Sequence, residues 1–238
     1  MSETSLPPSI ILAPDPKSVF TQPEFGTKYV FPLLSFELSD VFDDLSGPLH
    51  FIDPIEPYDG YIGGFTKQHH SYYCRENWIS FKVKGGLYSF EGPEEYFAKA
   101  YWKTHDVPES VHISVRDGWK KAVDDFYVER TAKFIKWRAA LSNDMGANLR
   151  IHGVRLDNFG GQPWDANWVH TVDFPMVAQD GVMDLDGEPF ANTFHYPLTE
   201  DGRRFRYIGF VEAFDWRCAI HLFFDPVEQR ALQTFDWT

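Results

Sequence analysis

The stretch from Phe205 to Trp237 constrains the fold most, because three short apolar runs lie there with turn residues between them. The runs are Phe205–Ala213, Trp216–Phe224 and Ala231–Trp237, rich in aromatic and β-branched side chains. Segments this short do not recover the cost of nucleating a helix, so all three read as strands. Phe214-Asp215 joins the first two tightly. Asp225-Pro226-Val227-Glu228-Gln229 joins the last two, with Pro226 pre-setting φ for a turn and unable to donate within a central ladder. The expectation is an antiparallel meander. Period two in the middle run puts Trp216, Cys218, Ile220, Leu222 and Phe224 on one face, taken as the core face. Arg217, Ala219, His221 and Phe223 fall on the other. Burying one large apolar side chain contributes roughly 1.5–3 kcal/mol, so a full row in register disfavours any one-residue slip.

The preceding chain reads as material packed against that meander. Prolines at 7, 8, 14, 16 and 23 make residues 1–27 an extended arm, with Ile10-Ile11-Leu12 able to form one edge strand. From Tyr29 to Ile62, short apolar runs cut by Pro32, Pro48, Pro54 and Pro57 read as edge strands and ordered loops. Trp78–Lys84, the Gly85-Gly86 turn and Leu87–Phe90 predict a hairpin. Gly92-Pro93-Glu94-Glu95 opens a helix expected to run to His105, because proline suits a first turn and acids complement the positive helix end. The clearest helix is Asp117–Leu141, where Trp119, Val123, Phe126, Arg130, Phe134, Trp137 and Leu141 recur at spacings of three and four. It is expected to pack on the meander. Asn143–Gly146 suits a left-handed cap, and Leu149–Leu156 alternates as a strand. Residues 179–204 read as acidic or turn-forming, with Asp180-Gly181, Asp186-Gly187 and Asp201-Gly202 as tight turns. The fold class that follows is α+β: a curved, mainly antiparallel sheet with a C-terminal meander and one long helix packed across it. Residues 1–238 are expected to form a single domain.

The formal charge of −13 opposes phosphate backbones and anionic bilayers, whose binding depends on lysine and arginine releasing counterions. Nucleic acid and membrane are therefore not expected partners, whereas a basic protein is. Cys74 and Cys218 lie too far apart in sequence to suggest a disulfide framework. The start, Met1-Ser-Glu-Thr-Ser-Leu-Pro-Pro, has no basic region followed by a long apolar one, so the expected location is the cytoplasm. Oligomeric state is left open.

Metal binding is considered through His69-His70 with Cys74 and through Cys218 with His221. The latter two sit three apart on a strand and point to opposite faces, and no Cys-x-x-Cys occurs, so neither metal nor cofactor is expected. No Gly-x-Ser-x-Gly elbow offers an activated serine. The richest local chemistry is the loop Phe159–Trp168, where Trp164 and Trp168 stand beside the amides Gln162 and Asn167. Aromatic anchors with polar tips form binding hot spots and sugar-stacking surfaces, and equally serve as plugs at a sheet end. Asp165, His170 and His195, with Asp157 nearby, are where acid–base or small-molecule chemistry is expected if the protein has any.

Gly160-Gly161-Gln162-Pro163-Trp164, Asp173–Gln179 and Ala219–Pro226 resemble the YwqG-like family, a domain of unknown function. The likeness covers the last third of the chain. It implies a single-domain α+β fold of curved antiparallel sheet and a bacterial protein without established catalytic activity. It also implies an immunity-type role, in which a toxin is bound and neutralised. With the charge and the aromatic loop, the functional expectation is a cytoplasmic binding protein for a basic toxin. The alternative is an enzyme or a carbohydrate or other small-ligand module centred on Trp164 and Trp168.

Overall fold

The structure, a computed structural model, describes residues 9–56, 62–105, 113–141, 159–163, 165–170, 174–185, 188–213 and 218–237. The chain opens with β1 (Ile11–Leu12), a four-residue helix α1 (Phe25–Lys28), β2 (Val30–Glu37) and β3 (Pro48–Pro54). The hairpin β4 (Trp78–Lys84) and β5 (Leu87–Ser89) follows, then the helices α2 (Ala98–Thr104) and α3 (Ile113–Leu141). Another hairpin, β6 (Met176–Leu185) and β7 (Glu188–Pro197), precedes the final strands β8 (Arg206–Glu212), β9 (Cys218–Asp225) and β10 (Arg230–Trp237). The fold is α+β, with open, mostly antiparallel sheets, one long helix and a C-terminal meander, as the sequence predicts.

The meander forms the heart of a five-stranded sheet of order β5-β4-β10-β9-β8. Its register runs from Arg230↔Asp225 to Trp237↔Cys218 between β10 and β9. Between β8 and β9 the ladder shifts at Tyr207/Gly209, a bulge that glycine tolerates. At the β4–β5 turn Gly85 and Gly86 both have positive φ, +59° and +82°, the backbone that closes a two-residue hairpin without steric penalty. Contrary to the one-sided reading of β9, both its faces are buried. Ile220, Leu222 and Phe224 enter the main core, while Phe223 joins Trp78, Trp168, Phe174 and Phe194 in a second core behind the sheet. Strand β9 is the interior of a sandwich, so period two separates two cores rather than core from solvent.

The smaller sheet, β1-β2-β3, carries the expected edge strand from the proline-rich arm: Ile11 pairs with Ser35 and Leu12 with Leu34. Pro32 breaks the β2–β3 register, and the extra residue there is absorbed as a bulge. The outer edge of β3 is closed by side chains from the larger sheet. The Tyr88 hydroxyl receives the His50 N–H at 3.0 Å and donates to its carbonyl at 2.9 Å. Two residues on, the Gln233 amide does the same for Ile52, at 3.1 and 2.9 Å. A hydroxyl and an amide thus satisfy a buried strand edge that would otherwise need another strand.

Helix α3 begins at Ile113, a turn before the expected Asp117, and ends at Leu141 as expected; among the described residues a stacked ring and a buried ion pair seat it on β2 and β3, with α2 beside its start. Phe134 stacks on Phe31 with centroids 4.2 Å apart, and Arg130 pairs with Asp53 at 2.9 Å, both side chains buried. At its start Trp119 meets Trp102 edge to face. The reason is complementarity of one buried charge: Arg130 on the apolar stripe needs a carboxylate, and Asp53 on β3 supplies it. The helix expected from Gly92 is broken into a 3-10 turn at Glu94–Tyr96 and the short α2, because Phe97 between them is extended. The Asn143–Gly146 cap, the Leu149–Leu156 strand and the Phe214-Asp215 link lie outside the described residues. Among the described residues no helix is long and apolar enough to cross a membrane.

Candidate functional site

The tryptophan loop splits on inspection of its residues. Trp164 and Asp157 lie outside the described residues. Trp168 is fully buried in the second core, edge-on to Trp78 at 5.8 Å and beside Phe223 at 5.7 Å. It plugs the sandwich and presents no face for stacking. Asn167 is a tether: its N–H donates to Asp236 Oδ1 at 3.0 Å and its side-chain amide to the Trp237 carbonyl at 2.7 Å, fastening the 3-10 turn Asn167–His170 to β10. Burial pushes the Asp236 carboxyl up, against the opposing bond from Asn167.

Asp165 and His195, named with His170 as one candidate site in the sequence, meet. Asp165 Oδ2 stands 2.6 Å from His195 Nδ1, and Asp165 Oδ1 accepts the His195 N–H at 3.2 Å. A carboxylate that fixes one ring nitrogen sets the tautomer and leaves the other nitrogen to act. The backbone bond also caps the outer edge of β7, an equally sufficient reason for the pairing. His170 and Gln162 are exposed on the same loop. Cys74 and Cys218 are both buried, and burial pushes the Cys74 thiol up, away from an activated nucleophile. Among the described residues no group of three or more His, Cys, Asp or Glu is placed to hold a metal ion.

What the sequence reading missed is the hairpin that this loop supports. Strands β6 and β7 pair from Met176↔Pro197 to Leu185↔Glu188 as a ribbon belonging to neither main sheet. At its base Phe194 and Tyr196 enter the second core, Asp165 holds His195, and the Arg204 guanidinium covers the Tyr196 ring at 4.4 Å. Further out Met183 still packs against the second core, but its neighbours do not. Val182 is 62% exposed and Phe190 54% exposed. They lie in adjacent, non-matching registers, Val182↔Ala191 and Met183↔Phe190, so they point to opposite faces, and each is exposed on its own face. Asp180 and Glu188 are exposed along it. Between Leu156 and Gly202 the chain has nine acidic residues and no lysine or arginine.

The signal for this element was present but reads two ways. Asp180-Gly181 looks like a turn, whereas it lies inside β6. Gly181 is needed there because the Phe194 ring crosses it, so that a Cβ would come within 2.8 Å of Cε2. Leu185 pairs with Glu188, and Asp186-Gly187, read as one of several tight turns, lies outside the described residues.

No family model matches the chain, and neither does any curated protein or solved structure.

Proposed function

We propose that the protein is a cytoplasmic binding protein that captures a basic protein with its β6–β7 ribbon, in the manner of a bacterial immunity protein occluding a toxin. The observation that carries this reading is the ribbon itself: an apolar tip, Val182 and Phe190, exposed on both faces within a segment that bears only acidic charge. Exposed apolar side chains rimmed by polar ones mark interaction surfaces. A two-stranded ribbon standing alone is marginal in water, so covering its tip stabilises it as well as the complex. Uniform negative charge steers a cationic partner toward the tip and excludes acidic ones.

The test compares the wild-type chain with Val182→Lys/Phe190→Lys as bait in a lysate of the native source, with retained proteins identified by mass spectrometry. The expected result is a basic protein retained by the wild type, lost with the variant and eluted by raised salt, whose toxicity on expression is relieved by co-expressing the wild type only. Retention of no basic protein above the variant, or toxicity relieved equally by both, sinks the reading.

A further inference from the structure

Apart from the ribbon, a cavity of about 310 Å³ opens between the Ser71–Cys74 segment, Ser80 on β4, Glu91 and Arg230 at the start of β10. This lies at the lower end of the roughly 300–1,000 Å³ of small-molecule sites. Its floor is a buried cation. Arg230 is 7% exposed, its guanidinium 4.0 Å from the Tyr73 ring centroid. Nε donates to Glu228 Oε2 at 3.0 Å, Nη1 to Ser80 Oγ at 3.2 Å and Nη2 to Glu91 Oε2 at 3.3 Å. Glu228 is itself held by Lys82 at 3.1 Å and by the Tyr73 hydroxyl at 2.9 Å. Ring, Glu228 and Ser80 therefore form a fixed frame around the guanidinium.

The contact to Glu91 differs from the rest. Its side chain is 44% exposed, and Lys84 stands 3.7 Å away as a second partner. An incoming carboxylate can take its place on Arg230, whose fork matches a carboxylate in plane and spacing. At the mouth stand Tyr72 and exposed Glu200. A simple anion entering here meets the charges of Glu91 and Glu200, and a simple cation meets Arg230. A molecule carrying both charges satisfies both ends.

We propose that this cavity binds a small amino-carboxylate zwitterion of the α-amino acid class, its carboxylate on Arg230 and Ser80 and its ammonium between Glu200 and the released Glu91. The site is independent of the ribbon, so neither reading depends on the other.

The full chain is titrated calorimetrically with the common amino acids singly, then with the des-amino and descarboxy analogues of the tightest binder (for leucine, 4-methylpentanoate and isopentylamine). The expected result is saturable binding of at least one amino acid, with each truncated analogue about tenfold weaker or more. Glu200→Gln, at an exposed position that leaves the fold intact, narrows the gap between the amino acid and its des-amino analogue. Arg230→Lys, checked for folding by circular dichroism, weakens the amino acid about tenfold. Binding of no amino acid overturns the proposal. So does an analogue that binds as tightly as its parent, or an affinity gap unmoved by Glu200→Gln.

Discussion

At the scale of single residues, the side chains singled out in the sequence divide between display and burial: Gln162, Asn167 and His170 are exposed, whereas Trp168 is buried. Trp168 is the clearest case of burial, fully enclosed beside Trp78, His221 and Phe223. Trp168→Ala is expected to destabilise the fold by about 3–5 kcal/mol in urea unfolding, because transfer and cavity losses add. A loss below about 1 kcal/mol, the range of a surface position, would return Trp168 to a recognition role. Gln233 was not a candidate at all, yet it closes the β3 edge at Ile52. Gln233→Leu leaves a buried N–H and a buried carbonyl unmatched, each worth about 1–3 kcal/mol, and the expected loss is their sum. An unchanged denaturation midpoint would mean that water reaches that edge. Nothing in one sequence distinguishes such a glutamine from a surface one, since its role exists only where two strands distant in the chain abut.

At the scale of elements, local pattern located strands and helix well where packing agreed with it. The meander and the β4–β5 hairpin follow from alternation and turn chemistry, both short-range properties. The long helix follows from its stripe, but the stripe does not say which surface receives it. The Arg130–Asp53 pair decides that, between two side chains buried at 4% and 0% exposure. Breaking a buried pair from one side strands a charge, so Arg130→Met or Asp53→Asn alone is expected to cost about 3–5 kcal/mol, and the double variant less than the two losses combined. Additive losses in the double-mutant cycle would show that the two residues act separately. The ribbon was illegible for the opposite reason: aspartate and glycine are poor strand formers, and only the Phe194 ring lying over Gly181 makes glycine the right residue within β6.

At the scale of the whole molecule, buried titratable groups tie stability to pH. Burial lowers His50 to about 4, the Gly86 carbonyl opposing, and lowers His221 to about 3. Both lie below the 6.5 of an unfolded imidazole, so the unfolded chain takes up protons first and stability falls as pH drops below 6.5. Burial opposes ionisation of Glu228, but its bonds from Arg230, Lys82 and Tyr73 prevail and hold it at about 2, so its contribution is also lost in acid, between 4.5 and 2. Tyr29 and Tyr73, raised by burial from 10.0 to about 12, keep their contribution until pH climbs through that range. Unfolding free energies measured from pH 7 to 4 are expected to decline, with each buried histidine adding a slope of about 1.4 kcal/mol per pH unit between its two pKa values. His221→Phe should remove one such increment, and an unaltered slope would mean that His221 is protonated in the folded state.

The sequence alone determined the α+β class, the order and pairing of the last three strands, the end of the long helix and the acidity of the chain, because periodicity, turn residues and charge are local quantities. Only the tertiary structure decided that β9 separates two cores, that the helix seats on the smaller sheet, that Asp165 meets His195 and that Val182 and Phe190 are exposed on the ribbon. Those outcomes depend on which distant surfaces find each other, and that is set by shape and by the pairing of buried polar groups, which no local pattern records.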